Sequence, residues 1–382
     1  MSQVTHPDTS DAHDRSLRAT GPLGIAATFI GTTIGAGYAS GQEILQYFVS
    51  FGLVRGTAAL LIAGTLFFAL SAIVLRLAQR MRSAAIHDIV NPTGRRWPTW
   101  FADVTITASL LGTLVIMLAG AGTALNTALG LPGVVGALLM AAACVMSVLT
   151  GISGLMKVQS VVVPAIVVVA VGVAAWGLLH PGPSTGGDVA ALVNSSPMIN
   201  QWWISGVLYV AFNFQLAYAV FAPMGATATA SPRTLVAGAA LGAGGLVVMA
   251  GAIMFALTAH ATLIGRTDLP MVELAAGMAG WIAVVYTVVL LLAQFTTALS
   301  CLFGSVERLR RVPGLRRLPF WVVAVLTAVV TTALSGIGFS DLIGTVYPVL
   351  GYAGLVIIAL LLASWPVSYT HLRAHETEAE LV

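Results

Sequence analysis

Apolar residues in this chain run in long blocks, and short stretches of Gly, Pro, Asn and charge separate them. Blocks that can cross a bilayer lie at about 22–49, 54–80, 99–129, 132–150, 158–180, 200–223, 235–260, 274–304, 319–337 and 341–364. Most of them meet or exceed the roughly 20 residues needed to cross a hydrocarbon core as a helix. The separators hold turn-forming residues, as in Asn91-Pro92-Thr93-Gly94 and His180-Pro181-Gly182-Pro183. The pattern predicts an all-α integral membrane protein with ten spans.

Composition sharpens that expectation. Hydrophobic residues make up 58% of the 382 and charged residues 8%, against about a quarter charged in a soluble domain. A water-soluble function is excluded. A formal charge of +3 and a pI near 9.1 would suit nucleic acid, but the basic residues lie in short loops, so no nucleic-acid partner is expected. With both termini cytoplasmic, that side carries Arg15, Arg18, Arg76, Arg80, Arg82, Arg95, Arg96, Lys157, Arg233, Arg308, Arg310, Arg311, Arg316, Arg317 and Arg373. Only Arg55 and Arg266 remain outside. The positive-inside rule selects this orientation in the inner (plasma) membrane.

The longest external connection, 181–199, divides the spans into two sets of five, 21–180 and 200–367, of opposite orientation. Such inverted halves are a common plan of secondary transporters. Residues 1–20 are expected to form a disordered cytoplasmic tail. Residues 368–382 resemble translated library-adaptor sequence and are set aside. Cys144 and Cys301 both fall within apolar blocks, with no disulfide framework and no metal-ligand spacing.

The first span contains Gly31-Thr32-Thr33-Ile34-Gly35-Ala36-Gly37-Tyr38-Ala39-Ser40-Gly41-Gln42-Glu43. Each glycine costs a helix roughly 1 kcal/mol relative to alanine, so a break is expected here. GxxxG helix packing, from Gly31 to Gly35 and Gly37 to Gly41, is the competing explanation. A carboxylate in a span costs at least ~2.5 kcal/mol and points to function; otherwise Glu43 sits at a wet outer mouth. In the eighth span, positions 293, 296, 297 and 300 share one helical stripe, which aligns the hydroxyls of Thr296, Thr297 and Ser300. Without a ligand such hydroxyls bond the carbonyl one turn back.

The run Gly-Thr-Thr-Ile-Gly-Ala-Gly-Tyr-Ala-Ser-Gly-Gln-Glu resembles the signature of the YkvI-like membrane proteins, a branch of the amino acid–polyamine–organocation superfamily. The resemblance extends over about Gly21 to Trp365. It implies the five-plus-five inverted repeat of the LeuT fold, with spans 1 and 6 discontinuous. It also implies a sodium site built from the carbonyls of Gly31, Ile34 and Ala293 and the hydroxyls of Thr296 and Thr297. Five neutral oxygens suit a hard monovalent cation; no other cofactor is expected. Proton coupling through Glu43 is the alternative.

Substrate is expected at Gly35, Ala36, Gly37, Tyr38 and Glu43, facing Phe212, Asn213 and Gln215 of span 6. That span lacks a glycine at the expected break, and Asn213 is the candidate to relieve it. Free amides at a helix break favour carboxylates and free carbonyls favour ammonium groups. A zwitterion meets both, whereas an amine relies on Glu43. The expected function is cation-coupled symport of a small amino acid or related amine by alternating access. A sensor of the same fold is the second reading. No HExxH, GxSxG or aspartate pair within the spans supports an enzyme. Ser340-Asp341 reads as the N-cap of span 10, and Asp103 as a hydrated residue at the cytoplasmic start of span 3.

Overall fold

A computed structural model describes residues 21–83, 96–150, 155–182, 189, 193, 195–264 and 267–379. The expected tail 1–20, the residues 380–382, Arg95 and Arg266 lie outside the described residues, as do most of 183–194.

Every regular element among the described residues is helical. The first block forms α1 (Pro22–Thr33), α2 (Ala36–Ser40) and α3 (Gln42–Tyr47), followed by a 3-10 turn at Val49–Phe51. Next come α4 (Leu53–Met81), α5 (Arg96–Leu129), α6 (Gly133–Thr150) and α7 (Leu155–Leu179). The second half holds α8 (Trp202–Thr227), α9 (Pro232–Ala259), the short α10 (Ala261–Ile264) and α11 (Pro270–Met278). It ends with α12 (Gly280–Leu309), α13 (Phe320–Ser335) and α14 (Phe339–Ala379).

Seven of these helices are long and apolar enough to cross a membrane: α4, α5, α6, α7, α9, α12 and α14. An eighth is α8, which passes as a pair bent by 53° between Tyr218 and Val220. Helices α1 and α13 are equally apolar but shorter. Large apolar side chains such as Val54, Leu61, Met146, Val168, Val248, Val284 and Val329 point outward. Inside lie Gln42, Glu43, Gln46, Asn213, Gln215 and Gln294. Apolar outside and polar inside is the inverse of a soluble fold, and lipid is the solvent that favours it. The chain is a multi-pass membrane protein.

Helix α8 lies at the centre, flush against α4. A methyl group at Gly206 would collide with the Ala59 carbonyl, and one at Gly225 would meet the Leu75 carbonyl at 2.6 Å. Small residues are what permit backbones to approach so closely in lipid. At one end of the bundle, the Arg308 guanidinium donates to Asp103 at 3.0 Å, which puts the start of α5 beside the end of α12. The Asp103 side chain is 61% exposed, so the pair is hydrated as expected and contributes little.

The expected cap of span 10 is corrected. Gly338, at φ +114°, precedes a helix that already begins at Phe339, so Ser340 lies inside the first turn. Its hydroxyl is thereby available to another helix.

Candidate functional site

The first span is interrupted twice. At the end of α1 the Gly35 amide donates to the Thr33 carbonyl (2.9 Å) instead of one turn back to Gly31. That frees the Gly31 carbonyl from its usual helical donor. Gly35 is extended (φ −92°, ψ −179°) and α2 starts after it. The second interruption is Gly41, at φ +81° in the left-handed region, which residues with a Cβ disfavour. A Cβ there would also meet Met271 Cγ at 2.7 Å. The turn at Gly41 folds Glu43 back over Gly37, where any Cβ would collide with the carboxylate.

Glu43 is 3% exposed, and its Oε2 has no hydrogen-bond partner among the described residues. No Lys, Arg or His of that set interacts with it. Its surroundings are aromatic: Tyr38, Tyr47, Tyr209 and Tyr347 all stand within electrostatic reach of the carboxylate. The Tyr209 hydroxyl faces it without completing a hydrogen bond. Ring centroids lie 5.4 Å apart for Tyr47–Tyr209, 5.7 Å for Tyr47–Phe212, 5.5 Å for Tyr209–Phe212 and 4.2 Å for the stacked pair Phe212–Tyr347. The hydroxyls of Tyr47 and Tyr209 are buried and unpartnered. Those of Tyr38 and Tyr286 are satisfied, by Leu246 O (2.8 Å) and Ala39 O (2.6 Å).

A second polar group lies beside the first. Gln42 Nε2 donates to Ser340 Oγ (2.6 Å), while Gln46 Nε2 donates to Ser340 O (2.9 Å) and Oγ (3.0 Å). The amide oxygens of both glutamines are unpartnered. Gln294 of α12 is wholly buried with neither amide atom bonded; it packs against Gly120 of α5, beside Phe339. At the same end of α14, Asp268 is half-buried. Loss of water, and secondarily the Asp341 carboxylate, push its carboxyl above the usual range.

No protein-family model matches the chain. It is 27% identical over 342 residues to the uncharacterized membrane protein YkvI of Bacillus subtilis (strain 168), covering 88% of this chain and 94% of the relative. Identity to YyaD of the same organism is 26% over 346 residues, covering 87% and 94%. Among solved structures, the inward-facing conformation of Mhp1 superimposes with TM-score 0.58 at 17% identity, covering 91% of this chain and 77% of the other. MhsT in complex with L-phenylalanine gives 0.55 at 16%, covering 92% and 98%. A Na+-coupled sialic acid symporter gives 0.58 at 14%, covering 93% and 80%. The chain is similar to YkvI and YyaD along most of its length and has the LeuT fold.

Within this fold the sequence-derived residues divide. Glu43 and Gly37 touch, and Phe212 joins them through Tyr47 and Tyr209. Gly35 forms the break itself; the Ala36 side chain lies outside the described residues. Tyr38 is held by its bond to span 7. With Tyr209, Phe67 and Leu246 it also lines a small apolar cleft in which Glu43 takes no part. Asn213 Nδ2 donates to Tyr209 O (3.0 Å) within α8, and the helix continues through it; the bend lies farther on, between Tyr218 and Val220. Gln215 is saturated: it accepts from Ser109 Oγ (2.5 Å) and donates to Leu350 O (2.7 Å), tying α5, α8 and α14 together.

Of the expected sodium ligands, Thr296 Oγ1 donates to Ala293 O at 3.1 Å, the ordinary bond of a helical threonine. Thr297 is partly buried; Gly31 lies in the last turn of α1 and Ile34 caps that helix. The residues that the sequence left unremarked are Gln46, Tyr47 and Gln294. Gln294 carried a signal, since an amide in an apolar span is costly unless it faces the bundle interior.

Proposed function

We propose that this YkvI-like protein is a secondary transporter that couples the symport of a small amino acid or related amine to a cation gradient. The observation that carries this is Glu43, a buried carboxylate with no basic partner among the described residues, placed beside a first span interrupted at Gly35 and Gly41. In this reading α1 to α3 form one crossing and α8 and α13 are two more. Ten spans then result, in two inverted sets of five, with the termini in the cytoplasm of a plasma-membrane protein. The basic residue count supports that orientation.

Sodium is the preferred coupling ion. The contact between Tyr286 and Ala39 supports it by register. Ala293 lies seven residues along α12 from Tyr286, and Gly31 and Ile34 precede Ala39 in span 1. The two helices run in opposite directions, so both expected ligand sets lie on the same side of that contact. Thr296 Oγ1 keeps its lone pairs while it donates to Ala293 O, and those lone pairs are what a sodium ion would use. No other cofactor is proposed. A proton on Glu43 is the alternative coupling chemistry, and a binding-only sensor of the same fold is the alternative function.

Reconstitution into proteoliposomes tests this. An inward sodium gradient is expected to drive accumulation of at least one labelled compound from pooled amino acids and amines, and Thr296→Ala is expected to abolish the sodium dependence. Flux driven by a pH gradient and lost in Glu43→Gln would replace sodium by the proton. Ligand binding with no flux under either gradient would favour the sensor.

A further inference from the structure

The environment of Glu43 narrows the substrate class. The inference rests on the transporter reading above, in which the site lies at the first-span break. Three observations bear on it independently. First, the carboxylate is buried without any basic residue opposite it among the described residues. An unbalanced buried carboxylate is costly, and a cation is the ligand that compensates it. Second, Tyr47, Tyr209, Phe212 and Tyr347 form a connected set of rings, with neighbouring centroids 4.2 to 5.7 Å apart. Three of the four stand within electrostatic reach of Glu43. Ring faces attract ammonium groups lying within about 6 Å of the centroid, most strongly where water is excluded. Third, the Tyr47 and Tyr209 hydroxyls are buried and have no hydrogen-bond partner among the described residues, so their lone pairs can accept from an N–H or a polarised C–H.

We infer that Glu43 together with Tyr47, Tyr209, Phe212 and Tyr347 forms a receptor for an organic ammonium ion that carries no carboxylate. A zwitterion fits less well, because its carboxylate would enter a site whose only charged side chain among the described residues is itself a carboxylate. A bare alkali ion could use the oxygens of Glu43, Tyr47 and Tyr209, but it would leave the ring faces of Phe212 and Tyr347 without a role. The stacked rings of Phe212 and Tyr347 belong to α8 and α14, so a ligand enters when those helices part. Alternating access supplies that motion.

The test uses the full chain in detergent and in proteoliposomes. Thermal melting in potassium buffer is recorded with n-butylammonium, tetramethylammonium and choline. The controls are 3,3-dimethyl-1-butanol, a neutral analogue of choline, and the zwitterions L-alanine and L-leucine. The expected result is stabilisation by one or more ammonium ions and none by the neutral analogue. Glu43→Gln, of nearly the same shape, is expected to weaken the effect at least about tenfold. Tyr209→Phe keeps the ring and retains most of the effect, whereas Tyr209→Leu loses it; melting without ligand identifies any variant that fails to fold.

Protection by L-alanine or L-leucine and by no ammonium ion would overturn the inference, as would protection by sodium alone that Glu43→Gln removes. If proteoliposomes accumulate labelled amino acids while no ammonium ion binds or moves, the transporter reading stands and the ammonium receptor falls. If no compound of either class binds or moves, both fall.

Discussion

The Gln42 amide nitrogen lies 2.6 Å from the Ser340 hydroxyl, a bond between residues nearly three hundred positions apart that ties the end of the first span to the start of the last. Gln46 reinforces it through two further contacts to Ser340. All three side chains are buried, so these bonds have no water to replace them. Ser340→Ala deletes the hydroxyl and strands Gln42 Nε2, which is expected to cost about 1–3 kcal/mol. A fall in melting temperature in Ser340→Ala, with little further fall in the Gln42→Ala/Ser340→Ala pair, would confirm the coupling. Additive losses would show that the two residues act separately.

Gly37 and Glu43 are a second coupled pair. A methyl at position 37 would collide with the carboxylate, so Gly37→Ala must displace either Glu43 or the backbone of α2. Overpacking of this kind typically costs about 1–3 kcal/mol. Shortening the side chain in Gly37→Ala/Glu43→Ala removes the collision, so the double variant is expected to be more stable than the sum of the singles predicts. A double-mutant cycle in melting temperature measures this directly.

Gln215 looked like a ligand in the sequence and behaves as a brace in the fold. Its oxygen and nitrogen are both engaged, by Ser109 and Leu350. Gln215→Leu is expected to destabilise the protein by about 1–3 kcal/mol, since it removes the hydrogen bonds to Ser109 and Leu350 and leaves Ser109 only Thr105 O. Ligand affinity per folded molecule should be unchanged. A large loss of affinity with normal stability would return Gln215 to the binding site.

What was legible in the sequence follows from range. The apolar blocks, the glycine-rich interruption from Gly31 to Gly41 and the buried Glu43 are local properties, and the structure carries all three. The partner of a polar residue is a long-range property. Gln215 was recognisable as inward-facing, but nothing near it in the chain names Ser109 or Leu350. Tyr47 and Tyr209 look like packing residues until their hydroxyls are found without partners. Ser340 was misread as a cap because Ser before an acidic residue is a strong helix-start signal, and Gly338 starts the helix earlier through its positive φ. The bend of α8 was sought at Asn213 for its polarity, but Asn213 bonds within its own helix and leaves the helix intact.

Asp268 provides a pH-dependent prediction outside the spans. Partial burial, and then Asp341, raise its carboxyl pKa in the folded protein. The folded state therefore holds more protons than the unfolded state just above the ordinary carboxylate range, near pH 4, so stability falls as pH rises through that window. Asp268→Asn removes the penalty. The variant should melt like the wild type below that window and above it at neutral pH, and melting curves across pH 4 to 8 check the sign. A variant less stable at neutral pH would mean that the Asp268 carboxylate has a favourable partner in solution.

Gln294 tests whether unpartnered polar groups are kept for function. It is fully buried, and both amide atoms lack hydrogen bonds among the described residues. Leaving such a group unsatisfied costs about 1–3 kcal/mol, so Gln294→Leu, which preserves volume, should raise the melting temperature of the ligand-free protein. Natural proteins commonly keep such costs where activity requires them. Flux in proteoliposomes is expected to fall in the same variant, because the amide is then lost from the interior face shared by α5, α12 and α14. A variant both more stable and fully active would show that Gln294 serves neither packing nor transport.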